Sequence, residues 1–273
     1  MDANALPENL PIDGLLAGQS ALVTGAGRGI GRAIAIRLAL AGARVGVADL
    51  NSVDAQQTAR IIVENGHQAI AITADVTSDA SRRAMVNSVE DAFGPLDLLV
   101  NNAGINQVID PFDITEADWD RMLAVNAKAV FFLSQQVLRG MVERKRGGVV
   151  SLASVAGKIA TGVPYLHYNV SKAAVIAMTK TLSQAVARNG VRVNCVCPGI
   201  IDTDMWTMID REQGQKMLGM GDREFMNSRL ANVPMGRAGT PDDVARVILF
   251  LASPLAAYMT GQAVNITGGW VTF

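Results

Sequence analysis

The sequence has 273 residues, of which 49% are apolar and 18% are charged, an ordinary composition for a globular chain. The formal net charge of −1 excludes a broad basic surface, so we expect neither a nucleic acid nor a membrane as partner. Cys195 and Cys197 have no second cysteine pair or nearby histidine, which favours small core residues and no metal site or disulfide. No signal-peptide pattern and no long apolar run is present, so we expect a cytoplasmic protein.

Residues 1–18 are polar and contain proline, and we expect an irregular lead-in followed by a single domain over residues 19–273. Apolar runs then alternate with segments of helical composition, which is typical of a parallel sheet covered by helices on both faces. The predicted strands are residues 20–24, 44–48, 69–73, 96–100, 148–152, 191–197 and 263–266. Helices are predicted over residues 32–41, 81–92 and 115–145. A further helix includes residues 58–63 and ends near residues 65–66, another contains Tyr168, and the last begins at Pro241. Thr115 and Thr240 are predicted to cap the two helices that follow them.

A glycine-rich turn, residues 24–31 (TGAGRGIG), lies between the first predicted strand and the first helix. Glycines let the backbone turn tightly and approach a pyrophosphate, which then rests on the N–H groups that begin the helix. Asp49 follows Gly31 by 18 residues, at the end of the second strand, where a carboxylate hydrogen-bonds a ribose diol and repels a 2′-phosphate. These features predict a dinucleotide site that favours NAD over NADP.

Tyr168 and Lys172 lie four residues apart in a predicted helix, so their side chains share one face. A neighbouring cation lowers the pKa of a tyrosine from its usual value near ~10, which makes the pair a candidate general acid/base. Taken alone, this spacing is more often a packed ring and a solvated amine. His167 points about 100° away around the helix, so we expect it to be structural or at the pocket rim.

The ordered motifs resemble the short-chain dehydrogenase/reductase family over about residues 18–270. The glycine turn matches TGxxxGxG, residues 101–104 (NNAG) follow the fourth strand, and residues 168–172 match YxxxK. The resemblance implies an α/β fold with a single-domain, Rossmann-type, doubly wound parallel sheet of about seven strands and helices on both faces. It also implies an oxidoreductase that transfers a hydride between a nicotinamide cofactor and a secondary alcohol.

In the family pattern Tyr168 transfers the hydroxyl proton, while Lys172 lowers its pKa and holds the nicotinamide ribose. Ser154 would hydrogen-bond the substrate oxygen, and Asn126 would position Lys172 through water. Ser154 precedes Tyr168 by 14 residues, and Ser151, at 17, is the less suitable serine. The alternatives are that Ser154 caps a turn and that Asn126 satisfies backbone groups.

The resemblance implies NAD as the cofactor, with NADP the weaker candidate. Asp75 and Val76 would contact the adenine. Arg28 favours NADP, because a basic residue there accompanies NADP use in the family. Asp49 favours NAD more strongly, because its carboxylate would repel a 2′-phosphate, and Leu50 adds no positive charge. The residues expected to bind the cofactor are Gly25, Arg28, Gly29, Ile30, Gly31, Asp49, Leu50, Asp75, Val76, Asn102, Ala103, Gly104, Tyr168, Lys172, Pro198, Gly199, Ile201 and Thr203.

Residues 202–236 show no regular pattern and hold six of the twelve methionines, and residues 200–236 are expected to form a mobile substrate lid. Residues 198–206 are similar to those of acetoin/butanediol and sugar-alcohol dehydrogenases of the family. This similarity implies a small polyol, vicinal diol or hydroxyketone as substrate. The residues expected to contact it are Asn106, Ser154, Tyr168 and Trp206.

Two other functions remain open at this point. One is a 3-oxoacyl-thioester reductase, which is usually linked to NADP, so that Asp49 counts against it. The other is a non-catalytic nucleotide-sensing protein, although such proteins typically lack the Tyr or Lys of the YxxxK motif. The family usually forms tetramers, so the resemblance also implies a homotetramer, and the apolar chain end at residues 268–273 suits an interface.

Overall fold

The computed structural model describes residues 14–273, so residues 1–13 of the predicted lead-in lie outside the described residues. Residues 14–18 form a turn ahead of the first strand. This turn is fixed to the fold, because Leu16 is fully buried and its N–H donates to the carbonyl of Ala41 at 2.8 Å.

Seven parallel strands form one sheet in the described part of the chain, in the order β3-β2-β1-β4-β5-β6-β7. The chain runs outward from β1 to β3, then returns to the centre and continues in the opposite direction from β4. The sheet is therefore doubly wound, as predicted, with its topological switch between β1 and β4. The strands are β1 (Ser20–Thr24), β2 (Arg44–Asp49), β3 (Ala69–Thr73), β4 (Leu98–Asn101), β5 (Gly147–Leu152), β6 (Val191–Pro198) and β7 (Ala263–Ile266).

Helices cover both faces of this sheet. Asn51 and Ser78 cap the second and third helices, and Thr115 and Thr240 form the predicted caps of two others. None of the helices within residues 14–273 combines the length and the apolar character that crossing a membrane requires. The α-helices are α1 (Gly29–Leu40), α2 (Ser52–Glu64), α3 (Asp79–Phe93), α4 (Glu116–Leu123), α5 (Ala129–Arg144), α6 (Leu166–Val186), α7 (Asp204–Ile209), α8 (Glu224–Leu230) and α9 (Pro241–Ala252).

Alternate residues of each strand enter two separate cores, which explains why the strands are continuously apolar. On one face Val23 of β1 packs in a cluster with Ile34 of α1 and Ile248 of α9. On the other face the next residue back, Leu22, packs in a cluster with Met85 of α3. Since side chains alternate between the faces of a strand, a sheet buried on both sides needs apolar residues at every position.

The observed strands begin and end within two residues of the predicted ones, and the predicted helical residues 58–63 lie within α2, which begins at Ser52. The Asn51 side chain caps this start, because it accepts the N–H of Val53 at 3.0 Å. Cys195 and Cys197 are fully buried free thiols in β6, as expected of small core residues.

Two segments differ from the sequence-based prediction. The single helix predicted over residues 115–145 is interrupted by a π-helical turn, Ala124–Lys128, between α4 and α5. No helix was predicted in residues 202–236 because they show no regular pattern, whereas α7, the π-helical segment Asp210–Met217 and α8 occupy most of this segment. The Asp210 carboxylate explains this order, since it accepts the N–H groups of Arg223 at 2.8 Å and Met226 at 2.9 Å.

Candidate active site

A cavity of about 760 Å³ lies where the carboxyl ends of the strands meet the segment after β6. Every residue predicted to bind cofactor or substrate lines this cavity, whereas Asn126 does not. Ser151 does not line it either, because Ser151 is buried and accepts a hydrogen bond from the Asn101 amide at 3.2 Å. Among residues 14–273, no three His, Cys, Asp or Glu side chains come together as a metal site.

The glycine turn is packed so closely that it admits no side chains at its ends. A Cβ on Gly31 would lie 2.0 Å from the carbonyl oxygen of Gly25. The Asn102 amide donates to the carbonyls of Thr24 at 2.9 Å and Gly25 at 2.8 Å, and so fixes the turn to the end of β4. The backbone therefore forms a rigid floor under one end of the cavity.

The N-terminus of α1 opens into this end of the cavity without a cap. No side chain caps it and no acidic residue lies in its first turn, in contrast to α2, α3 and α4. Gly29, Ile30 and Gly31, the first residues of the helix, line the cavity. Unpaired N–H groups and the positive end of the helix dipole suit an anionic group, so a pyrophosphate fits this position.

The backbone holds Asp49 at the mouth of the glycine turn. One carboxylate oxygen accepts the N–H of Gly27 at 2.8 Å and the other accepts the N–H of Asn51 at 2.9 Å. Arg28 instead points to Asp204 at the start of α7, with 3.0 Å between Nη1 and Oδ2. Both side chains of that ion pair are largely exposed, so Asp49 is the fixed charge at this end.

Ser154, Tyr168 and Lys172 come together deeper in the cavity. The Lys172 ammonium lies 5.7 Å from the centre of the Tyr168 ring and donates to the carbonyl of Leu152 at 2.8 Å. The Ser154 hydroxyl accepts the N–H of Ala156 at 3.1 Å, so it caps a short turn and also faces the cavity. The predicted acid/base pair and the predicted serine therefore share one location, on α6 and directly after β5.

Burial governs the protonation of this cluster. It raises the pKa of Tyr168 above its ordinary value, and the hydrogen bond from Ser154 opposes the rise. It lowers the pKa of Lys172 to about 8. Burial is therefore the largest influence on the pKa of Tyr168, and it acts against the lowering predicted from Lys172.

Asn126 lies in the π-helical turn and binds the loop after β4. Its Oδ1 accepts the N–H of Ile105 at 2.9 Å, and its Nδ2 donates to the Ile105 carbonyl at 2.9 Å and to Ser171 of α6 at 3.1 Å. A Cβ on Gly104 would lie 3.3 Å from Asn126 Oδ1 and 3.5 Å from Lys172 Nζ. Asn126 thus satisfies backbone groups, the alternative given above, and does so beside Lys172.

His167 is fully buried and does not line the cavity. Its Nε2 lies 3.3 Å from Gln107 Oε1, and the Gln107 amide donates to Asp118 at 3.0 Å. Burial lowers the pKa of His167, and the charge of Asp118 opposes this effect. His167 therefore has the structural position that was one of the two expectations. It does not lie at the rim of the pocket, which was the other.

The other end of the cavity is mostly apolar. Tyr165, Ile209 and Phe225 form a buried cluster against which Trp206 and Tyr168 pack. Tyr165, Arg229 and Trp270 are among the lining residues of this region that were not predicted from the sequence. Tyr165 lies one helical turn before Tyr168, a spacing that would have indicated it, whereas no sequence signal marked the other two, which are Arg229 and Trp270.

Comparison with known proteins agrees with this geometry. A family model described as enoyl-(acyl carrier protein) reductase matches residues 25–271. Galactitol 2-dehydrogenase of Rhizobium johnstonii is 41% identical over 257 residues, which cover 93% of this chain and 96% of that protein. The 3-oxoacyl-[acyl-carrier-protein] reductase FabG of Vibrio cholerae is 38% identical over 254 residues, covering 93% and 98%. The 2-(S)-hydroxypropyl-CoM dehydrogenase 3 of Xanthobacter autotrophicus is 39% identical over 249 residues, covering 90% and 94%.

The fold, the motifs and these relatives define one class of protein. The chain belongs to the short-chain dehydrogenase/reductase family. It is an oxidoreductase that acts on CH–OH donors with a nicotinamide cofactor.

Proposed function

We propose that this protein interconverts a secondary alcohol and a ketone with NAD(H), and that its substrate is a small polyol, vicinal diol or hydroxyketone. One observation carries the proposal: the uncapped start of α1, the fixed carboxylate of Asp49 and the Ser154–Tyr168–Lys172 cluster open into one cavity. The similarity to galactitol 2-dehydrogenase supports a polyol. Residues 19–273 then act as one catalytic domain, with residues 200–236 as a mobile lid.

The residues at the first end of the cavity fit a dinucleotide. The N–H groups of Gly29 and Ile30 would hold the pyrophosphate, and Asp49 would accept hydrogen bonds from the adenosine ribose. The bound nicotinamide supplies the acceptor or donor of a hydride. Asp49 supports NAD because its charge repels a 2′-phosphate, and Arg28 is already paired with Asp204.

The residues of the cluster move and stabilise charge at the substrate oxygen. In ketone reduction Tyr168 donates its phenolic proton to the carbonyl oxygen, and Ser154 donates a hydrogen bond to the same oxygen. In alcohol oxidation the phenolate of Tyr168 takes the hydroxyl proton. Lys172 supplies the neighbouring positive charge that favours this phenolate, and Asn126 holds the loop beside Lys172.

Replacement of Tyr168 tests the assignment directly. Tyr168→Phe should abolish turnover and leave NADH binding, followed by cofactor fluorescence, unchanged. Tyr258→Phe is the matched control, since Tyr258 is fully exposed to solvent and does not line the cavity. Retained turnover in Tyr168→Phe would contradict the proposed role of the phenol.

A substrate panel tests the substrate class. Rates should be measured with NAD and with NADP on sorbitol, galactitol, 2,3-butanediol and a 3-hydroxyacyl thioester. Turnover of a diol or polyol with NAD is the expected result. Activity on the thioester alone would instead support the second candidate, a 3-oxoacyl-thioester reductase, which the similarity to FabG favours. Cofactor binding without turnover of any alcohol or ketone would support a nucleotide-sensing protein.

We further propose a homotetramer in the cytoplasm. Several large apolar side chains are exposed in α9 and in the segments after it, which supports an interface between copies of the chain. They are Phe250, Leu255 and Phe273. Light scattering should give the mass of four chains, and a monomer would contradict the proposal.

A further inference from the structure

The apolar end of the cavity contains a guanidinium group without a carboxylate partner. Arg229 extends from α8 and lines the cavity together with Tyr165 and Trp270. None of the ion pairs among residues 14–273 includes Arg229. An arginine that faces a largely apolar cavity without a counter-ion is electrostatically unsatisfied, because the apolar walls screen its charge poorly.

Two contacts fix the Arg229 side chain in place. Its guanidinium carbon lies 5.5 Å from the centre of the Trp270 ring, and its Nη2 donates to the carbonyl of Thr161 at 2.8 Å. That bond occupies one of the five N–H donors of a guanidinium, so the other donors are available to a ligand. The group is therefore held ready for binding.

Tyr165 is a second polar residue at this end of the cavity. The Tyr165 hydroxyl donates to the Gln213 amide oxygen. Burial raises the pKa of Tyr165, and the positive charge of Arg229 opposes the rise. Tyr165 thus keeps its proton, and it packs with Ile209 and Phe225 in one buried cluster.

The acidic residues that line the cavity lie away from Arg229. Asp49 is bound at the glycine turn, Asp75 follows β3, and Asp204 pairs with Arg28 beside the same turn. None of these three carboxylates pairs with Arg229, and the other cations that line the cavity are Arg28, Arg121 and Lys172.

Building on the proposed function, we infer that Arg229 binds an oxyanion on the substrate, so that the alcohol oxidised here carries a carboxylate, phosphate or sulfonate group away from its reacting carbon. A guanidinium presents paired N–H donors in a planar fork that matches two oxygens of such a group. A polyhydroxy acid or a polyol phosphate combines this anion with the vicinal hydroxyls of a polyol.

The test compares matched neutral and anionic substrates with NAD, namely sorbitol, gluconate and sorbitol 6-phosphate. In the wild-type protein kcat/KM should be higher for at least one anion than for sorbitol, and whether gluconate or the phosphate is preferred identifies the group. Arg229→Met should lower kcat/KM for that anion on the order of 10- to 100-fold, the usual effect of losing a charged hydrogen bond, and should change the sorbitol value little. Arg229→Lys should recover part of the loss.

Arg211→Met is the matched control, because Arg211 is an exposed arginine of the same segment that pairs with Glu212 and does not line the cavity. Circular dichroism and NADH binding verify that each variant is folded. If Arg229→Met lowers kcat/KM equally for sorbitol and for the anions, Arg229 is a structural residue of the lid and the inference is overturned. A higher kcat/KM of the wild-type protein for sorbitol than for both anions would also overturn it.

In both cases the protein still oxidises an alcohol, so the proposed function stands. The proposed function itself would fail if the protein oxidised no alcohol.

Discussion

Replacing Lys172 with methionine should stabilise the protein at neutral pH when no cofactor is bound, and it should abolish turnover when cofactor and substrate are supplied. Lys172 is 5% exposed, and burial lowers its pKa from 10.5 to about 8. At about 1.4 kcal/mol per pKa unit, this shift means that the charged ammonium destabilises the folded chain by about 3 kcal/mol. The variant also loses the hydrogen bond from Nζ to the Leu152 carbonyl, which contributes about 1 to 2 kcal/mol. The expected net gain is about 1 to 2 kcal/mol.

The pH dependence of the stability difference distinguishes an effect of the Lys172 charge from an effect of side-chain packing. Because the pKa of Lys172 is lower in the folded chain than in the unfolded chain, the folded chain loses the proton first as pH rises. The destabilisation is complete below pH 8, decreases between pH 8 and 10.5, and is absent above that range. The stability of the wild-type protein should therefore rise relative to that of Lys172→Met across this window.

Urea unfolding of both proteins at pH 7 and at pH 10 measures the effect. Cofactor must be absent and the protein concentration fixed, since binding and assembly both add apparent stability. Lys180→Met is the control, because Lys180 is an exposed lysine of the same helix. A variant less stable than the wild type at pH 7, or a difference that is the same at both pH values, would refute the argument.

Two further changes have outcomes that the structure specifies. Asp49→Ser should lower kcat/KM with NAD about 10-fold, because a charged hydrogen bond to the ribose is lost, and should raise kcat/KM with NADP. Initial rates with both cofactors measure these values. An unchanged ratio of kcat/KM with NAD to kcat/KM with NADP would contradict the role of Asp49. Asp242→Ala should lower the free energy of unfolding by about 3 kcal/mol or more, because Arg37, whose side chain is 1% exposed, loses its ionic partner. Urea unfolding measures it, and a loss below about 1 kcal/mol would contradict it.

The strands and the cofactor end of the cavity were predictable because local chemistry determines them. A strand buried on both faces needs a continuous apolar run, and such runs gave all seven strands to within two residues. The residues after each strand then had to meet at one edge of the sheet. That is why Gly25, Asp49 and Asn102, far apart in sequence, line one cavity.

The substrate end was less predictable because tertiary contacts determine it. The start of α8 is bound to Asp210, whose carboxylate accepts two N–H groups more than ten residues away, and no periodic pattern indicates that contact. Arg229 looks like any surface arginine until Trp270, 41 residues later, is seen to stack on it. The protonation of Tyr168 also depends on burial, which the spacing of Tyr168 and Lys172 does not reveal.

The π-helical turn at Ala124–Lys128 changes the orientation of α5 relative to α4. The N–H of Ala129 bonds to the carbonyl of Ala124, five residues back, so this turn holds one residue more than a regular turn. One extra residue corresponds to about 100° of rotation, so the faces of α4 and α5 are out of phase by roughly that angle. Deleting exposed Lys128 would restore a continuous helix and its phase, and would rotate Asn126 away from Ile105 and Ser171. The extra residue therefore lets α4 and α5, which follow one another directly, pack against α6 and the sheet through two different faces.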